Sequence, residues 1–187
     1  MDSKKRFLLV LFCIISFLTE AQLNPTQYSI QKKIICQQGA VVSAHALASE
    51  TGLLMLKKGG NAFDAAIATQ LALAVVYPGA GNIGGGGFLV GHTGKGKNIV
   101  IDYRETAPAK AHRDMYLDTA GKPNSKLSQD GHLSAGVPGT VAGLFATLKY
   151  AKLPFKTLIA PAIELAAKGF AVTDSQAASL NRTRQSF

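Results

Sequence analysis

Apolar residues recur along the chain at two different periods. From His45 to Lys58, Leu47, Leu54 and Leu56 follow a roughly helical spacing, and Gly59-Gly60 ends the segment. Asn61 is suited to cap a second helix, with Asp64 near its positive N-terminal end. "AFDAAIATQLALAVV" is apolar nearly all round, which requires burial on both sides, and it should stop before Pro78. The period then changes. Phe88 to His92 and Ile99 to Tyr103 read as strands, joined by the hairpin turn "TGKGKN". Another strand, turning at Gly39, is expected in "IICQQGAVVSA".

A polar stretch, "ETAPAKAHRDMYLDTAGKPNSK", separates the hairpin from a second helical region. One helix begins near Pro138 and Gly139. A further helix, "PFKTLIAPAIELAAKG", carries Pro161 near a first turn or at a kink and stops at Gly169. Thr173 and Gln176 have capping-box spacing for a last helix. The order is helix pair, hairpin, long loop, helix pair. It predicts an α+β fold, with helices layered on a mainly antiparallel sheet.

Composition changes this picture little. The chain has 187 residues, 47% apolar and 17% charged, enough for one sizeable core and against disorder. Lys4, Lys5 and Arg6, the apolar run Phe7 to Leu18 and then Thr19-Glu20-Ala21 form the layout of a secretory signal over residues 1–21. The alternative is an N-terminal anchor, but the run is short for a span of ~20 residues. Residues 22–38 read as a flexible lead-in and 39–187 as the folded part, exported to a periplasmic or extracellular space with no stable membrane span. Cleavage would change the +9 balance to +8. The basic residues are scattered, which suits a solvated surface better than nucleic-acid binding. Only Cys36 survives cleavage, excluding an internal disulfide or zinc framework, and His45, His92, His112 and His132 lack metal-ligand spacing.

Two glycine motifs suggest a nucleotide. Gly79, Gly81 and Gly84 form G-x-G-x-x-G, with Asp102 further on, but a helix precedes and a strand follows, the reverse of the dinucleotide-binding order. "GHTGKGKN" resembles a phosphate loop with Asn98 in place of the magnesium-binding hydroxyl, and it too continues as a strand. A tight helix-to-strand corner accounts for Gly84 to Gly87.

"GGNAFDAA", "NIGGGGF", "DYRETAPAKA", "GVPGTVAG" and "PAIELAAKGF" occur in the order and spacing of γ-glutamyltransferases, or glutathione hydrolases, and the chain resembles that family from about Gly39 to Val172. The resemblance implies an N-terminal-nucleophile hydrolase with αββα layers, of which this chain is the N-terminal part of the large subunit. It implies an exported precursor that cuts itself, and a small subunit whose first threonine attacks the γ-glutamyl bond of glutathione or a similar donor. The acyl group then passes to water or an amine acceptor, with no metal or organic cofactor. That threonine has no match here, so no catalytic residue is assigned and the chain alone should be inactive. Arg104, in "DYRETAP", matches the arginine that binds the α-carboxylate of the donor. Read without the resemblance, Arg104 is a surface residue paired with Asp102 or Glu105. The alternatives are a related amide acylase, or a non-catalytic exported remnant or binding module.

Overall fold

The computed structural model describes residues 35–184. The expected signal at 1–21 and most of the lead-in lie outside the described residues. The compact unit begins at Gly39 and contains every element named below.

Helix α1 spans Ala46–Lys57 and α2 spans Ala62–Val76. The start of α1 is held by His45, whose Nδ1 accepts from the Leu47 N–H at 3.3 Å. Asn61 and Asp64 form a reciprocal capping box at the start of α2. Asp64 does more than cap. Fully buried, its carboxylate also accepts the backbone N–H groups of Lys152 and Leu153 at 2.8–3.0 Å, tying α2 to a loop 88 residues away.

As its sequence requires, α2 is covered on several sides. Ile67, Ala68 and Leu71 join Met55 of α1 with residues of the later helices, while Ala72 and Val76 pack with Ala48. Those later helices are α4 (Thr140–Leu148), α5 (Phe155–Lys168) and α6 (Asp174–Thr183). Leu144 of α4 and Leu158 and Ala162 of α5 complete the main cluster. Pro161 lies in the interior of α5, beyond the first turn, and Gly169 ends that helix with φ 75°. Thr173 and Gln176 form the capping box of α6.

Strands β1 (Phe88–His92) and β2 (Asn98–Asp102) form an antiparallel two-stranded sheet, Phe88 opposite Asp102 and Val90 opposite Val100. Residues 35–45 form no strand; their β-branched content suggested one, but a strand exists only through pairing, and no neighbouring strand takes them up among the described residues. The long loop also carries local structure that its reading lacked. Short α3 (Ser125–Gln129), capped by Asn124, starts at the end of the polar stretch, and a 3₁₀ turn at His132–Ser134 follows it. The loop is closed where Thr106 and Val137 exchange backbone hydrogen bonds.

Candidate functional site

The two faces of the hairpin differ sharply. Ile99 faces inward and is buried, and Gly91 lies against the Phe63 ring of α2. The alternate positions point away: Phe88 is 60% exposed, Val90 80% and Val100 72%. Asp102 shares this outer face as the cross-strand partner of Phe88, and Arg104, two residues on, continues it.

Arg104 is held at several points. Its Nε and Nη2 donate to Asp102 Oδ1 and Oδ2 at 3.1 and 2.8 Å, a fork-on-carboxylate pair, and its backbone N–H donates to the same Oδ1. The guanidinium carbon lies 4.8 Å from the centre of the Phe88 ring, a cation–π arrangement. The hydrogen bonds from Arg104 hold the Asp102 carboxyl below its ordinary value, and Asp102 in turn raises the guanidinium pKa. Both side chains are more than half exposed, so solvent screens the pair.

The backbone beneath Arg104 is fixed by close approaches. Gly87 and Tyr103 extend the hairpin ladder by exchanging backbone hydrogen bonds. A Cβ on Gly86 would come within 2.7 Å of the Arg104 Cα, and one on Gly139 would overlap the Tyr103 carbonyl. The Tyr103 ring covers Gly143 of α4, where a Cβ would overlap it, and the hydroxyl donates to Gln70 Oε1 at 3.3 Å. The segment before Arg104 is thus clamped between the glycine corner and α4.

Close approaches account for part of the glycine between residues 79 and 87: a Cβ on Gly81 would overlap the Leu73 carbonyl and one on Gly86 the Arg104 backbone, whereas Gly79 and Gly84 face open space. The backbone carbonyl of Gly85 accepts the N–H groups of Gly139 and Thr140 at 2.9 and 3.0 Å, and Asn82 Oδ1 accepts from Gly85 N–H and the Thr140 hydroxyl. The N-terminus of α4 therefore meets the glycine segment, although no helix directly follows that segment in sequence. It receives a carbonyl from the chain itself, in the place a phosphate would take. The helix-before, strand-after order stands as read.

The sequence reading set Arg104 just past a strand, with Asp102 or Glu105 as its ion partner. The ion pair of Arg104 is with Asp102, not Glu105. It missed Phe88 and the Asn82–Thr140 link. Phe88 could have been found from hairpin register, which sets it opposite Asp102; the Asn82 contact is set by tertiary packing and has no local signal. Of the histidines, His45 is a helix cap and His92 pairs its Nδ1 with Asn98 Oδ1 at 2.7 Å.

This constellation lies within a segment with clear relatives. The family model described as Gamma-glutamyltranspeptidase matches residues 48–187, and the chain belongs to that family. The glutathione hydrolase proenzyme of Escherichia coli (strain K12) is 47% identical over 161 residues, covering 83% of this chain and 28% of the relative. The crystal structure of the Helicobacter pylori γ-glutamyltranspeptidase superposes with a TM-score of 0.78 at 51% identity, covering 82% of this chain and 44% of that one. The enzyme from Pseudomonas nitroreducens gives 0.75 at 44% identity, with coverage of 82% and 46%. The chain therefore spans less than half the length of these relatives. Its fold is a portion of the α+β N-terminal-nucleophile hydrolase fold, containing helices and one hairpin of the layered whole. No helix among the described residues is long and apolar enough to cross a membrane.

Proposed function

We propose that this chain forms the N-terminal part of the large subunit of an exported γ-glutamyltransferase, residues 39–187 following a signal at 1–21 and a lead-in at 22–38. In this reading Arg104 binds the α-carboxylate of a γ-glutamyl donor such as glutathione. The nucleophile is a threonine of a small subunit cut from the same precursor. That threonine attacks the γ-amide carbonyl, the amine leaves with a proton, and water or an acceptor amine releases the glutamyl group. Carboxylate binding fixes the donor, so that the scissile bond meets the nucleophile at one distance and angle.

One observation carries the proposal: a fixed guanidinium stands on the apolar outer face of a hairpin, in a chain of this family. Exposed Val90 and Val100 support this reading, since an apolar outer face beside Arg104 suits cover by a further layer of the enzyme.

The test uses the full precursor, in which this segment is followed by the threonine-initiated subunit. It should release a chromogenic amine from a γ-glutamyl anilide. Arg104→Lys, which keeps charge but loses the fork, should raise KM at least about tenfold. An unchanged KM would remove Arg104 from the donor site.

A further inference from the structure

The pairing of Arg104 with Asp102 uses one edge of the guanidinium. Nε and Nη2 face the two carboxylate oxygens, and Nη1 makes no hydrogen bond among the described residues. A guanidinium can accept a second carboxylate along the edge formed by its two terminal nitrogens, because each terminal nitrogen carries a proton on that side. Asp102 therefore does not occupy the edge formed by the two terminal nitrogens. The guanidinium carbon also lies over the Phe88 ring, a further contact that restricts the side chain.

From this arrangement we infer that Asp102 is a positioning residue, which holds the Arg104 side chain by its Nε edge so that the terminal edge is preset for the donor carboxylate. The inference rests on the reading of Arg104 given above. A free arginine has many rotamers, and ordering it on binding weakens affinity. Here the cost is met during folding, because Asp102 is itself fixed by β2 pairing and receives the Arg104 backbone N–H as well. An opposing effect exists: Asp102 is an anion near the incoming anion. Its charge is already neutralised by the fork, and the remaining repulsion acts across solvent, where it is weak. Preorganisation is the larger effect, and the two effects predict opposite signs.

Asp102→Asn keeps the shape and removes the charge, turning an amide N–H₂ toward one donor of the fork. In the processed full-length enzyme it should raise KM about tenfold for a γ-glutamyl anilide, leaving kcat within about twofold. With a donor analogue lacking the α-carboxylate, wild type and variant should give the same KM. A KM that falls, or one that is unchanged for both donors, overturns the inference in favour of repulsion or of no role. Equal losses on both donors would mark Asp102 as merely structural and also overturn it.

A second measurement needs no activity. In the 187-residue chain, the Arg104 Nε proton should exchange with water more slowly than that of a solvated arginine, and Asp102→Asn should abolish the difference. Fast exchange in the wild type overturns the proposal whatever the kinetics. Arg104→Lys separates the two levels. If that variant leaves KM unchanged, the carboxylate reading itself fails; if it raises KM while Asp102→Asn does not, only the positioning role fails.

Discussion

The helical region around α2 and the hairpin are built from similar apolar residues, yet they end in opposite states. Around α2, Ile67, Ala68 and Val76 are enclosed by residues of other helices, and even the Asp64 carboxylate is enclosed with its hydrogen bonds filled. On the hairpin, Phe88, Val90 and Val100 stand in solvent beside a charged pair. One region is closed by its own chain and the other is closed on a single side. Enclosure stabilises the scaffold, and the open side leaves apolar surface and a charged pair in contact with solvent. Between them lies Tyr103, whose ring packs toward Gly143 of α4 while the next residue, Arg104, faces out.

Disrupting the closed region should have the largest effect. Asp64→Ala would leave the part-buried N–H groups of Asn61, Lys152 and Leu153 without the acceptor they share. A loss of about 2–3 kcal/mol is expected in urea unfolding, because three hydrogen bonds to one carboxylate, itself fully buried, are lost together. Gly143→Ala tests the junction. Alanine gains ~1 kcal/mol in helix propensity, but its methyl overlaps the Tyr103 ring, and the overlap should prevail with a net loss of about 1–2 kcal/mol by the same assay. Val100→Thr, on the open face, should shift stability by no more than about 0.5 kcal/mol in the isolated chain. A loss as large as that from Gly143→Ala would mean the outer face is already covered, and would erase the contrast.

The smallest effect concerns protons. Because the folded-state pKa of Asp102 is lowered from 3.8, its contribution is present above that value and is lost as pH falls through the folded pKa. The Asp102 carboxyl carbon should therefore titrate by NMR with a midpoint below 3.8, and Arg104→Gln should return the midpoint toward it. Stability should change little, since both groups are solvated.

Features set by neighbouring residues were legible in the sequence. The Asn61 cap, the Thr173/Gln176 capping box, the hairpin and the stop at Gly169 each depend on a few adjacent positions, and each was read close to its place. The burial of α2 on several sides followed from its lack of a polar face. Features set at long range were not legible. That Asp64 would accept from Lys152 and Leu153, or that Gly85 would cap α4, depends on segments over fifty residues apart. The expected strand near Gly39 failed for the same reason, since propensity cannot supply a partner. At the site, Arg104 was singled out through motif resemblance, proximity in sequence left its ion partner between Asp102 and Glu105, and Phe88 emerges only once register is known.

The carbonyl of Gly85 has a consequence beyond capping. Together with the Thr106–Val137 pairing, it returns the chain at Gly139 to the place it left before β1. The intervening excursion is closed at its base, as a handle is closed where it joins a cup. Lengthening or rewriting the polar arc between residues 107 and 135 would then change the handle without moving the rim that holds Arg104. Related chains could thus acquire new outer surfaces, and different neighbours, at little risk to the Arg104–Asp102 pair.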